Sequence, residues 1–377
     1  MRQLDPIALG ADIAAVVSLL GSASVGAVFA DELRPMAGLF GLALLLATDV
    51  SRRSRQGPSQ IRDCILPLIA ALLVGATLVG ALGAGLDGKA TWGFWAAVIA
   101  VWLTAWRVVT ALIAAGREGR LARTLVNIGV PLVFGATLLF LWEVIVRGTG
   151  VPSVILPAPS AIFARLASSV PTLAVDFVQT LHGVAAGYVI GCGAGFLVAV
   201  LMDRVPFLQR GLLPIGNLVS ALPIVGVAPI MVMWFGFDWQ SKAAVVVIMT
   251  FFPMLVNTNA GLAATGAMER DLMKTYAANY PATLLKLRLP AALPFVFNGL
   301  KICSTLALIG AIVAEFFGTP IYGMGFRINA EVGRMNIDMV WATIVVAALF
   351  GSLFYGLIGL IERQVTFWHA SYRQRSA

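Results

Sequence analysis

The sequence predicts an all-α protein whose helices cross a lipid bilayer many times, and three observations carry that expectation. The first is a residue balance that no water-facing surface accommodates: of 377 residues 59% are hydrophobic and 12% charged, with a mean hydropathy of +0.91. A soluble chain carries about twice that charge density. The second is the grouping of apolar residues into runs long enough for a helix to cross about 30 Å of hydrocarbon, roughly 20 residues each. The third is the placement of Lys and Arg in short clusters between those runs. The net charge of +8 is therefore read as a topology signal and not as a nucleic-acid-binding patch.

Ten segments qualify as spans or nearly do: 7–30, 36–50 (the shortest), 63–85, 92–115, 125–147, 177–202, 212–235, 242–262, 293–317 and 339–361. With the N-terminus placed in the cytoplasm, 17 Lys and Arg fall inside and 7 outside, while Arg107 and Lys301 lie within spans. This bias predicts that both termini are cytoplasmic. Val28-Phe29-Ala30 before Asp31 loosely resembles a signal-peptidase site. Arg2 is offset by Asp5, however, and the apolar stretch is long for a signal peptide, so the first span is read as retained. The organisation changes near residue 124. Residues 1–124 form an extension of about four spans joined by the turns SRRSRQ and REGRLAR. Residues 125–377 hold six, with a long outer segment at 148–176 and a long inner one at 263–292. No internal repeat relates the two parts, so the inverted-repeat signature of many secondary transporters is not visible.

Along the chain, Gly83 to Lys89 mimics the start of a phosphate-binding loop, but Ala90 stands where Ser or Thr should bind magnesium, and no strand precedes it. Cys64, Cys192 and Cys303 lie in or beside apolar segments with neither disulfide nor metal-site spacing, and are read as buried small hydrophobes. His182, near an outer helix end, is read as a structural polar residue. Gly183, Gly187, Gly191 and Gly195 recur at every fourth position and make a smooth strip for close helix approach, within the chain or against a moving or second subunit. Pro223, Gly226 and Pro229 break an apolar span, which membrane helices tolerate where neighbours or water satisfy the freed carbonyls.

The inner stretch from Met268 to Pro294 is not a random polar linker. Met268, Leu272, Met273 and Tyr276 recur near i, i+4, i+5 and i+8, giving one apolar helical face, with Glu269, Arg270 and Lys274 on the rest. Asn279, a residue that tolerates the left-handed conformation, marks a tight turn. Pro281 opens a second short helix, expected to close at Pro290 and Pro294. Such a pair of amphipathic helices suits either a groove on a partner or the inner leaflet surface. Farther on, Lys301 lies about two turns into its span and is expected to snorkel to the inner face. Glu315 near the outer end is expected among headgroups, or in contact with substrate or a docked protein. Arg107 and Glu143 are opposite charges on different spans and a candidate pair.

The inner stretch resembles the EAA loop of ABC importer permeases, whose pattern runs Glu-Ala-Ala, three residues, Gly, then about a dozen residues to Leu-Pro. Asp271, Leu272 and Met273 take the Glu-Ala-Ala positions, Ala277 follows Tyr276 at the glycine, and Leu289-Pro290 fits the end. The acid is thus shortened, both alanines are larger residues, and the glycine is replaced. Leu156-Pro157-Ala158-Pro159-Ser160, the run ALPIVGVAPIMVMWFGF at 221–237, and Ala314-Glu315-Phe316 followed by Gly323-Met324-Gly325 resemble the taurine/nitrate/sulfonate group of these permeases. Together the likeness covers about residues 125–365.

The resemblance implies a six-helix type I (MetI-like) core in the bacterial inner membrane, preceded by the extra N-terminal helices. It implies a dimer with a second permease copy, cytoplasmic ABC ATPase subunits docked on the inner loop, and a periplasmic substrate-binding protein that delivers a small solute. A sulfonate, a nitrate or a pyrimidine-type vitamin precursor is the implied class of solute. It also places pathway-lining or gating residues at Pro223, Gly226 and Pro229. Neither a cofactor nor a catalytic residue is expected, since two histidines and no clustered acids give little material for metal or acid–base chemistry. The competing reading is an ATP-independent secondary transporter or channel, which would call for membrane-centred carboxylates or repeated broken helices.

Overall fold

In hydrocarbon a backbone N–H or C=O finds no water, so an apolar run closes its hydrogen bonds within itself as a helix. The computed structural model describes residues 11–16, 62–83, 87–88, 90, 92–115, 120–220, 222–318 and 321–368, and every regular element among them is helical. Among the described residues, six helices are long and apolar enough to cross a membrane: Trp92–Ala114, Val126–Gly148, Val170–Arg204, Trp239–Ala263, Tyr280–Phe317 and Ile337–Val365. Two shorter apolar helices are Ile65–Ala81 and Ile224–Phe235. Of the expected spans 7–30 and 36–50, all but a helical stretch at 11–16 lies outside the described residues.

The chain forms two compact units, Met1–Ile162 and Phe163–Ala377. In the first, α1 (Arg62–Ala81), α2 (Trp92–Ala115) and α3 (Arg120–Gly148) share a core that includes Val74, Leu78, Ala97, Val101 and Val144. Arg147 near the end of α3 pairs with Asp87 at 3.1 Å and with Glu143 at 3.3 Å. Its carbonyl accepts from Gly88 N at 2.9 Å, so Asp87 and Gly88 are tied to the end of α3. Glu143, expected to face Arg107, is held by Arg147 and by Ser160, whose N and Oγ donate at 2.9 and 2.6 Å.

After α4 (Pro159–Ser168), the second unit runs through α5 (Val170–Arg204), α6 (Pro206–Ser220), α7 (Ile224–Phe235), α8 (Trp239–Ala263), α9 (Ala267–Thr275) and α10 (Tyr280–Thr283). A π-helical turn, Leu284–Arg288, leads into α11 (Leu289–Phe317), followed by α12 (Met324–Gly333) and α13 (Ile337–Val365). The glycine strip of α5 is the seam against α8. A Cβ at Gly183 would lie 2.8 Å from that of Lys242, one at Gly187 would lie 2.7 Å from the Ala243 carbonyl, and one at Gly191 would run into Thr250 Oγ1. The strip therefore packs within the chain. Val184, Val246, Ala307, Ala311 and Met324 form one core cluster, and Cys192, Met254, Val296 and Cys303 another. Cys192 and Cys303 are buried free thiols.

Two expected helix boundaries differ from the structure. The segment 212–235 is not one helix but two, α6 and α7, because Pro223 is extended (φ −68°, ψ 113°) and caps α7 without an N–H to donate. The second short helix of the inner stretch does not close at Pro290 and Pro294. It runs through the π turn into α11, one helix spanning Tyr280–Phe317. Pro290 follows the π turn and Pro294 lies inside α11, so neither proline ends the helix.

Candidate functional site: an exposed helical hairpin and its root

The stretch between α8 and α11 is built from short-range rules. Gly266 is extended (φ −65°, ψ 160°) and starts α9, with Glu269 in the first turn and Lys274 in the last, each on the favourable end of the helix dipole. Ala277 N donates to Lys274 O at 2.8 Å, and Ala278 N donates to Met273 O at 3.0 Å. That pair is a Schellman closure, and it sets Ala277 at φ 52°. The left-handed residue is thus Ala277, at the position where the resembled pattern carries glycine, and not Asn279. Asn279 is extended and caps the next helix, its side chain accepting from Ala282 N at 3.0 Å.

No residue of α9 is buried. Met268 is 84% exposed, Leu272 55% and Tyr276 77%, so the apolar face expected from the sequence points away from the rest of the chain. Asp271 is exposed and pairs with Lys274 at 2.9 Å, an exposed i,i+3 contact of little energetic weight. Met273 is half-buried, as are Leu289 and Pro290, which belong to α11 rather than to the exposed hairpin.

The hairpin is anchored at its root by residues that sequence reasoning passed over. Arg288, the last residue of the π turn, binds Asp203 near the end of α5 with both Nη atoms. Its Nε and Nη2 also donate to Leu262 O near the end of α8, at 3.1 and 2.9 Å. Tyr280 Oη donates to Asp203 Oδ2 at 2.9 Å, and the Arg204 guanidinium lies 5.4 Å from the Tyr280 ring centre. The signal available was Asp203 itself, an acid in a turn otherwise marked only by Arg204 and Arg210.

The break before α7 faces open space. Nothing lies within 4 Å of a Cβ placed on Gly226. Ala228, Met231 and Val232 form the buried face of α7, while Val225 and Met233 are uncovered, and Pro229 lies inside the helix. An apolar cleft of about 170 Å³ adjoins the break, lined among others by Leu222, Ile224, Val227, Ile248, Met249 and Leu306.

At the opposite end of α11, Glu315 departs from expectation. Glu315 is 2% exposed, not among headgroups. Its carboxylate accepts from Thr180 Oγ1 at 2.8 Å and from Gly325 N at 2.7 Å, which offsets its desolvation. Asp176 accepts from Gly323 N at 3.0 Å and from Arg327 Nε at 2.7 Å, and Met324 N donates to Thr180 at 2.9 Å. The two separated motifs, Ala314-Glu315-Phe316 and Gly323-Met324-Gly325, are therefore one cluster. The hydrogen bond to Asp176 raises the Arg327 pKa. Burial works against the charge of Glu331, but the bond from Asn336 and the charges of Arg334 and Arg327 leave its pKa below the usual carboxylate value. Lys301 pairs with Glu362 near the C-terminal end of α13 at 2.8 Å, with its Nζ 6.0 Å from the Tyr355 ring centre. Among the described residues, no group of three or more His, Cys, Asp or Glu is placed to hold a metal ion.

Long apolar helices, a broken helix beside an apolar cleft and an amphipathic hairpin left uncovered define a polytopic membrane transport subunit. Comparison with known proteins gives the family. Residues 187–367 match the model described as binding-protein-dependent transport system inner membrane component. A probable ABC transporter permease protein of Haemophilus influenzae is 31% identical over 234 residues, 62% of this chain and 95% of that protein. The formylaminopyrimidine transport permease protein ThiX of Halalkalibacterium halodurans is 31% identical over 239 residues, 63% of this chain and 95% of that protein. The riboflavin transport system permease protein RibX of Chloroflexus aurantiacus is 30% identical over 249 residues, 65% and 91% of the two chains. The chain belongs to this family: it is an inner-membrane permease subunit of an ABC importer and forms a transmembrane path.

Proposed function

We infer that the hairpin at 268–290 is the surface on which a cytoplasmic ABC ATPase docks, and that ATP-driven motion enters the bundle there. The observation that carries this reading is the uncovered face of Met268, Leu272 and Tyr276 on a helix that buries none of its own residues. A short amphipathic helix with apolar anchors and a charged rim fits a groove on a partner. In this assignment Leu272, Met273 and Tyr276 supply the anchors, Asp271 the rim charge, Ala277 and Asn279 the turn, and Leu289-Pro290 the junction with α11. The permease proper begins near residue 125, and both termini face the cytoplasm with the hairpin. A second copy of the chain completes the path, and a periplasmic binding protein delivers the solute. The break at Pro223, Gly226 and Pro229 acts as the gate, because its open side and apolar cleft leave room for a helix to shift. The cleft lining named above carries no charge, so solute choice rests with the binding protein. The solute is a small molecule of the kind for which the relatives are named, with nitrogen heterocycles such as formylaminopyrimidine first to be screened.

The test is a crosslinker at Tyr276→Cys in intact cells that also express the ATPase subunit. Capture of the ATPase is the expected result. No capture, or modification of position 276 by an impermeant reagent added outside the cells, overturns the docking assignment. Uptake that persists without ATP would favour the secondary-transporter reading.

A further inference from the structure

We propose that Asp203, Tyr280 and Arg288 are positioning residues that make the hairpin, α5, α8 and α11 move as one body, so that force applied to α9 reaches the membrane helices. The proposal rests on the docking assignment above and extends it to residues outside the docking face.

Four elements converge on one guanidinium. Arg288 stands at the junction of the π turn and α11; Asp203 is one residue from the end of α5, and Leu262 one residue from the end of α8. An acid at a helix C-terminus is repelled by the negative end of the dipole, and the last carbonyls of a helix lack intrahelical donors. Arg288 answers both: it lies between two helix C-termini, neutralises Asp203 with both Nη atoms and donates twice to Leu262 O. The Arg288 and Asp203 side chains are only 15% and 10% exposed, so water screens the pair weakly. Tyr280 adds a second bond to Asp203 from the start of the same descending segment, and Arg204 covers its ring.

The consequence is mechanical. The loop that carries α9 leaves the bundle at Ala263 and returns through Tyr280 to Arg288. Its two legs are tied to each other through Arg288 and Leu262, and to α5 through Asp203. A hairpin tied at one leg bends when pushed; one tied at both transmits the displacement to three membrane helices. A π turn is also a break in the i→i−4 ladder that recurs at functional positions, and here it sets Arg288 at the junction.

The test uses the complete transporter, this chain assembled with its ATPase in proteoliposomes, with Mg-ATP as the only probe. Arg288→Lys, Arg288→Ala, Asp203→Asn and Tyr280→Phe are compared on the Tyr276→Cys background. A clamped bundle restrains its motor, because the ATPases cannot close without moving it. Loosening the clamp should raise ATP hydrolysis on the order of fivefold or more, the lower range of coupling energies between sites, while the crosslink from position 276 to the ATPase persists. Arg288→Lys should fall between Arg288→Ala and the parent, since one ammonium cannot serve Asp203 and Leu262 O in the same forked geometry. Hydrolysis unchanged or lowered with the crosslink retained overturns the clamp and leaves the docking assignment standing. Loss of crosslink and of folded protein in every variant assigns these residues to stability alone and also overturns it. Failure of the parent to capture the ATPase overturns the docking assignment, and the clamp with it.

Discussion

At Ala277 the backbone turns to φ 52° to close α9, a conformation that costs a residue with a Cβ about 1 kcal/mol or more and costs glycine little. The Schellman bonds from Ala277 N and Ala278 N hold it there. Ala277→Gly should stabilise the hairpin by about 1 kcal/mol, offset in part by the freer unfolded chain. Slower amide exchange across Leu272 to Ala278 would register the gain, whereas faster exchange would sink the account of the turn. Glu315 shows the same dependence of a residue on its surroundings. Gly323 has φ 128°, and a Cβ there would lie 2.7 Å from the Glu315 carboxyl carbon, so glycine serves both the turn and the buried acid.

Among elements, α5 and α8 define the second unit's most intimate seam. Lipid tails are as apolar as leucine, so membrane helices associate through close packing rather than through a hydrophobic drive. The glycines at 183, 187, 191 and 195 allow that approach, and Thr250 and Val246 of α8 fill the space against them. Gly191→Val should therefore destabilise the seam by roughly 1–3 kcal/mol through overpacking. Gly193, on the same helix with nothing within 4 Å of its added Cβ, is the control: Gly193→Ala should be tolerated. Thermal aggregation of the detergent-purified variants separates the two, and equal behaviour would contradict the packing seen here. The break between α6 and α7 has a different origin, since it is set by Pro223 and by the bias of residue 222 away from helix.

For the whole molecule, the region matched by the family model begins at residue 187, while α1, α2 and α3 share their own core. Removing residues 1–124 exposes the α3 face around Val144 to lipid, which solvates it almost as well as α1 and α2 do. The truncated chain should accordingly still co-elute with the ATPase, at a lower unfolding midpoint because the Arg147–Asp87 pair is lost. Absence of co-elution would show that the extension serves assembly. The helical class, the long spans from residue 92 onward other than 212–235, and the exposed face of α9 were legible in the sequence, because each follows from apolar run length or from 3.6-residue periodicity along one segment. The continuity of the hairpin with α11, the burial of Glu315 and the pairing of Lys301 with Glu362 were not, and neither was the meeting of Asp203 with Arg288. Those depend on which groups distant in the chain come within hydrogen-bonding reach, and a buried charge takes whatever partner lowers its desolvation cost. Local physics along the chain thus determined what would enter the membrane and which face would stay uncovered. Only the tertiary structure decided how the charges left inside were neutralised, since that energy resides in contacts between helices and not in any one of them.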